Sequence, residues 1–212
     1  MTFVTPLVIA GCGPGAPEWV PTPTRAAVAE ADVLAGAERL LALFPDAPGR
    51  RIPLQDGVGG LLDAVAAASG RVVLLVTGDP GVHSLAAVAV RRFGRDACRV
   101  IPAVSAVQLA FARVGQPWSD ARILSAHASS AALPDPATLV ETPRIALLAG
   151  NAAGADAVGR LADALASTHA AILCQALSLP EETVRPLAVG EVADAAGGPL
   201  ALILLVRKEF LA

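Results

Sequence analysis

Residues 8–17 read Val-Ile-Ala-Gly-Cys-Gly-Pro-Gly-Ala-Pro. An apolar strand pattern runs directly into a turn with glycines at alternate positions, Gly11, Gly13 and Gly15. Glycine takes φ > 0 at little cost and lets another group approach the bare backbone. Pro14 stiffens the turn, and Pro17 lacks an amide hydrogen. The next helical stretch, Thr24–Glu30, begins several residues later. The pattern predicts a strand, a rigid glycine turn able to receive a ligand, and then a helix.

Gly11-x-Gly13-x-x-Ala16 fits the loose dinucleotide pattern. A dinucleotide fingerprint, however, starts its helix inside the motif so that amides face the pyrophosphate. Pro14 and Pro17 oppose that. Asp32 also precedes Val33-Leu34 instead of closing a second strand. A nicotinamide or flavin site is therefore disfavoured, and for this stretch alone a tight turn without a ligand stays open. Two more buried-strand runs end similarly. Val72–Val76 empties into Thr77-Gly78-Asp79-Pro80-Gly81, and Val100-Ile101 into Pro102-Ala103-Val104-Ser105-Ala106. Three such strand ends predict one shared crevice at the carboxyl edge of a parallel sheet, where open α/β sheets bind ligands.

Apolar runs alternate with Ala-rich helical segments, the pattern of βαβ units. Strands are expected near Leu7–Gly11, Asp32–Ala35, Arg50–Pro53, Arg71–Val76 and Arg99–Ile101. The helices between them lie near Thr24–Glu30, Glu38–Leu43, Val58–Ala68, Ser84–Phe93 and Ser105–Val114. In Ser84–Phe93, Leu85, Val88 and Ala89 form an i, i+3, i+4 apolar face, with Ser84 as cap. The stretch Gly115–Asp120 breaks the pattern, which sets two domains, residues 1–116 and 117–212. The second resumes with strands Arg122–Ser125, Ile145–Ala149, Ala171–Gln175, Thr183–Ala188 and Leu200–Val206, and helices Ala155–Ala166 and Gly190–Ala195. Connections from Thr183 to Val206 are too short for a crossover helix at every step, so antiparallel pairing is expected there.

Of the 212 residues, 54% are hydrophobic and 17% charged, which excludes a disordered chain. The longest unbroken apolar run, Leu200–Val206, is far below the roughly 18 residues of a spanning helix. No secretory signal pattern opens the chain. Cys12, Cys98 and Cys174 are widely spaced without C-x-x-C, which fits reduced thiols in a cytoplasmic protein. A net charge of −3 argues against a nucleic-acid partner. His83, His127 and His169 are too scattered to suggest a metal cluster.

Together, the three loops resemble those of the tetrapyrrole (corrin/porphyrin) methylase family, which read roughly G-x-G-P-G, S-G-D-P and P-G-x-S-S in this order. The resemblance implies two α/β domains with S-adenosylmethionine in the cleft between them. It implies cofactor contacts at Pro14, at Thr77, Gly78 and Asp79 (Thr replacing Ser), at Val82, and at Ser105 and Ala106. In the second half it adds Ala149, where the family often has Met, and Leu177. Ala103 stands where the motif has glycine, and Gln175-Ala176 where the family often has Glu-Asn. From its own sequence context Asp79 is also an ordinary turn aspartate before Pro80, and Ser105 a helix N-cap. Cys12 reads best as a small buried side chain. The cofactor is already activated, so no nucleophile with its base is needed, and no catalytic residue is assigned.

The stretch Ser105–Ala121 is similar to the branch of the family that methylates carbon 5 of a corrin precursor, the first-methylation half of precorrin-6Y methyltransferase. The substrate implied is precorrin-6B or its cobalt form. The substrate side is assigned to Gly13, His83, Arg113, Trp118 and His127. Arg113 suits a polycarboxylate but also reads as a solvated helix residue. Trp118 reads as a wall for a flat macrocycle or as core packing, and His127 as a substrate contact or a polar loop residue. Since the chain ends at Phe210-Leu211-Ala212 just after its last strand, it is expected to add one methyl. The second methylation, at carbon 15, and the decarboxylation then fall to a separate or fused methyltransferase. A homo-oligomer is expected. The rivals are another family substrate (an earlier corrin step, siroheme formation or ribosomal RNA) and a non-catalytic scaffold subunit suggested by Ala103, Ala149 and Ala176.

Overall fold

A computed structural model describes residues 6–126, 133–150 and 152–211. They form two compact α/β units, 1–105 and 106–212. The sequence-based boundary lies further along, at 116/117. The difference is the helix α5, Ala106–Arg113, which packs against a strand of the second unit and belongs with it.

The first unit runs β1 (Leu7–Gly11), α1 (Thr22–Ala29), β2 (Val33–Gly36), α2 (Glu38–Leu41), β3 (Arg50–Pro53), α3 (Gly57–Ala67), β4 (Val72–Val76), α4 (Leu85–Phe93) and β5 (Cys98–Ile101). The five strands form one parallel sheet in the order β3-β2-β4-β1-β5. Side chains alternate across it. Val72, Leu74 and Val76 of β4 join Leu7 and Ile9 against Leu61, Leu62 and Val65 of α3 and Ala86 and Ala89 of α4. Val73 and Leu75 turn to the other face, with Ala10 and Leu34, against Val28 of α1 and Leu40 and Leu41 of α2. Burial on both faces explains why β4 is apolar throughout.

This division of helices positions the site. From β1 the chain leaves to the face of α1, and from the adjacent β4 it leaves to the face of α4. The two connections leave to opposite faces of the sheet at the adjacent carboxyl ends of β1 and β4, a topological switch point. Ser84 caps α4, its Oγ accepting from the Ala86 amide at 3.1 Å, as expected. The expected apolar face of α4 is displaced, because Val88 is exposed while Ala86 and Ala89 are buried. Small alanines let that helix sit closest to the sheet, so they and not the valine mark its inner face.

The second unit runs α5, β6 (Ala121–Ser125), β7 (Arg144–Leu148), α6 (Ala152–Leu165), β8 (His169–Gln175), β9 (Thr183–Leu187), α7 (Val192–Ala196) and β10 (Ala201–Arg207). Its sheet order is β6-β7-β10-β8-β9. β6 and β7 are parallel, while β10 runs antiparallel between β7 and β8, and β9 is antiparallel to β8. Antiparallel pairing is therefore present, but β9 pairs with β8 and not with β10. Ile145, Leu147, Leu173, Ile203 and Leu205 pack against α6 and α7. The carboxyl ends of β6, β7 and β8 share one edge of this sheet. Among the described residues no helix is long and apolar enough to cross a membrane.

Candidate functional site

At the carboxyl edge of the first sheet, backbone geometry brings the three loops together. The Gly78 amide donates to the Gly13 carbonyl at 2.8 Å, and the Cys12 amide to that of Val76 at 2.9 Å. Gly13 and Gly78 have φ of 77° and 62°, a left-handed geometry that disfavours other residues. Gly11 is required for a different reason. A Cβ there would lie 2.7 Å from Ala103 Cβ, 2.8 Å from Gly78 O and 2.9 Å from Pro80 Cδ. All three loops thus touch at one bare α-carbon. Below it, the buried Thr24 hydroxyl donates to the Gly11 carbonyl at 2.9 Å, fastening α1 under the turn.

Asp79 completes the junction. Its Oδ1 accepts from the Gly81 amide at 2.7 Å, and Oδ2 from the Ala103 amide at 3.0 Å. One oxygen makes the turn expected of an Asp before Pro80. The other reaches across to the loop after β5, which no reading of a single turn anticipates. Ala103 itself is not among the residues with positive φ, so the turn accommodates alanine where the family motif has glycine.

The remaining expected residues of this unit lie on the same edge. Pro14 is buried in the turn after β1, Thr77 and Val82 are half-buried, and Ser105 is buried at the end of the loop after β5. His83 is exposed with φ 42°, a strained conformation for a non-glycine residue of the kind that collects at functional loops. Sequence reasoning missed Arg39. It lies on α2, three residues beyond Gly36 at the end of β2, and its Nη2 donates to the Thr77 hydroxyl. Burial pushes the Cys12 thiol up to about 12, against the opposing pull of the Arg39 charge. Cys12 is therefore a protonated core thiol and not a nucleophile.

In the second unit, Ala149 follows β7 and Leu177 follows β8, both buried at the same sheet edge. Leu177 is held in a turn whose neighbours, Ala176 and Ser178, have φ of 50° and 72°. Asparagine is among the residues that tolerate this region best, so the backbone suits the family's Asn better than the alanine present. Glu182, also missed, braces the turn by accepting from the Ser178 amide at 2.6 Å. The same carboxylate takes both arms of Arg113, Nε to Oε1 at 2.5 Å and Nη2 to Oε2 at 3.3 Å. The Arg113 hydrogen bond, with help from the Ser178 amide, holds the Glu182 carboxyl below its ordinary range. Arg113 thus ties α5 to the loop after β8. Ala106 opens α5, and Trp118 is 47% exposed. His127 lies outside the described residues.

The comparisons with known proteins bear on the whole arrangement. The family model for tetrapyrrole (corrin/porphyrin) methylases matches residues 6–193. The chain belongs to this family. Among curated tetrapyrrole methylases, it is 35% identical over 122 residues to the cobalt-precorrin-7 C(5)-methyltransferase of Salmonella typhimurium, covering 57% of this chain and 61% of that protein. It is 30% identical over 124 residues to the precorrin-6Y C(5,15)-methyltransferase (decarboxylating) of Mycobacterium tuberculosis, covering 56% of this chain and 31% of the relative. The matches thus span less than two thirds of these relatives. Among solved structures, uroporphyrin-III C-methyltransferase from Thermus thermophilus, complexed with S-adenosylhomocysteine, superposes with a TM-score of 0.72 at 25% identity, covering 95% of this chain and 97% of that one. The precorrin-6Y methylase of Archaeoglobus fulgidus shares the fold, with a TM-score of 0.68 at 19% identity over 98% of this chain and all of the other.

Proposed function

We propose that this chain is an S-adenosylmethionine-dependent methyltransferase acting on carbon 5 of a corrin precursor in cobalamin biosynthesis. The observation that carries the reading is the convergence of three strand-end loops on Gly11 in a chain 35% identical, over 122 residues, to a C(5)-methyltransferase. The residues suit such a cofactor. The edge is built of short groups, Pro14, Thr77, Gly78 and Val82, on a backbone braced by Asp79. No thiolate competes with the substrate for the methyl group, because Cys12 is buried and protonated.

When bound, the cofactor supplies an activated sulfonium methyl, and the substrate carbon supplies the electron pair. The protein's work is then to hold the two in line and exclude water. Pro14, Thr77, Gly78, Asp79, Val82, Ser105 and Ala106 are assigned to the cofactor, with Ala149 and Leu177 from the second unit. Gly13, His83 and Trp118 are assigned to the substrate side. A methyltransferase acting at carbon 15, fused in the mycobacterial relative's named activity, is the proposed partner in the remaining steps.

Calorimetry with S-adenosylhomocysteine is expected to show one site per chain and a raised melting temperature. Incubation with cobalt-precorrin-7 or its metal-free counterpart and S-adenosylmethionine is expected to add the mass of one methyl. No heat and no thermal shift at millimolar ligand would remove the cofactor reading. Cofactor binding without methyl gain would move the assignment to another substrate of the family.

A further inference from the structure

Two arginines that hydrogen-bond at these sheet edges, Arg39 and Arg113, are in opposite electrostatic states. Arg113 is neutralised by a two-armed contact with Glu182. Arg39 has no carboxylate partner among the described residues, and its only hydrogen bond is to the neutral Thr77 hydroxyl. The neighbouring Cys12 thiol, held up to about 12 by burial, carries no compensating charge either. Arg39 is exposed as a residue, yet its guanidinium is partly withdrawn from water, which lowers its pKa from the ordinary value.

Its position is equally specific. The turns after β1, β2, β3, β4 and β5 contain no Lys or Arg; Arg39 of α2 reaches the turn after β4 at Thr77, and Arg25 of α1 bonds the Pro17 carbonyl in the turn after β1. Beyond Thr77, the exposed guanidinium has donors left to take a ligand anion. Its planar fork is matched to a carboxylate.

We propose that Arg39 is a carboxylate anchor of the ligand site, poised by Thr77 beside the carboxyl ends of β1 and β4. The inference rests on the methyltransferase reading above. Two ligands of that reading carry the required chemistry: the amino-acid carboxylate of the cofactor and the acidic side chains of the corrin. Each is tested against a partner lacking the group. For the cofactor arm, S-adenosylhomocysteine is compared with 5′-methylthioadenosine. For the corrin arm, cobyrinic acid is compared with cobinamide, whose side chains are amides. Binding is titrated on the intact chain and on Arg39→Gln and Arg39→Lys, with melting temperature as the control for folding.

Arg39→Gln is expected to weaken one carboxylate-bearing ligand about tenfold or more, leave its carboxylate-free counterpart unchanged, and melt like the parent. Arg39→Lys should recover part of the loss. The arm that responds identifies the source of the carboxylate. If Arg39→Gln binds both acids as the parent does, or weakens acid and neutral ligands alike, the proposal is overturned while the methyltransferase reading stands. If the parent chain binds none of the four compounds, both fall together.

Discussion

The two sheet edges present backbone in similar ways but with different residues. In the first unit, left-handed positions along the site are glycine, at Gly13 and Gly78, with His83 the one non-glycine exception. In the second unit, Gly150 is joined by Ala176, Ser178 and Leu200, with φ of 50°, 72° and 54°. The Ala176 amide reaches the Leu200 carbonyl at 3.3 Å, so these strained positions form one cluster. A left-handed conformation costs a non-glycine residue about 1–2 kcal/mol. The first edge is therefore locally relaxed, whereas the second is imposed by its surroundings. The braces differ to match. Asp79 ties loop to loop through amides, whereas Glu182 ties a loop to a helix through an ion pair.

The comparison breaks most visibly where a single methyl is added. At Gly154 in α6, a Cβ would lie 2.2 Å from Ala149 O and 2.4 Å from Ala126 O, and carbonyls fixed at strand ends cannot yield. Gly154→Ala is expected to lose about 3 kcal/mol or more, and Gly11→Ala roughly 2–3 kcal/mol, as overpacking without room to relax. Urea denaturation measures both. A variant with the parent's midpoint would show that the corresponding close approach is absent.

Asp79→Ala removes an acceptor from two amides in two loops. Unsatisfied amides in a half-buried junction should cost about 1.5–3 kcal/mol of stability. Because the lost bonds also position the loops proposed to hold the cofactor, S-adenosylhomocysteine affinity should fall as well, and calorimetry on the folded variant checks it. A stability loss with unchanged affinity would make Asp79 a brace for the fold alone.

One change has the opposite sign. Ala176→Gly relieves a left-handed alanine and should stabilise the chain by about 0.5–1 kcal/mol despite the freer unfolded chain. The equivalent replacement in the first unit does not exist where the residue is already glycine. If Ala176→Gly destabilises, the strain argument for the second edge fails.

An effect of similar small size concerns Glu182. Its carboxyl sits lower in the folded chain than when unfolded, so its contribution is complete above the ordinary glutamate value and fades as pH falls through the lowered one. For so accessible a pair the contribution should be only about 0.5–1 kcal/mol. Glu182→Gln should remove it, leaving a variant whose melting temperature depends less on pH between about 5 and 3. Equal acid sensitivity in parent and variant would assign the loss to other carboxylates.

Much of this protein was legible in its sequence because the signals are local. β1, β2 and β4 of the first sheet follow from apolar runs closed by glycine, proline or aspartate, and β1 and β3 have the expected bounds. The three site loops were visible for the same reason: glycine marks a backbone geometry that the chain must adopt wherever it folds. What stayed hidden depends on partners distant in sequence. Arg39 meets Thr77 across 38 residues, and Arg113 meets Glu182 across 69, so neither side chain's role is written in its own neighbourhood. The second edge was obscured because its left-handed residues are ordinary ones, held there by packing and ion pairs that only the folded chain assembles. Ala103 sits between these cases. Its replacement of glycine looks like a defect in the sequence, yet the folded loop needs no positive φ there and sets its methyl against the bare α-carbon of Gly11. Backbone demands met by glycine were thus written in residue type, while those imposed on Ala176, Ser178 and Leu200 and the state of each charge were decided only by what the fold placed beside them.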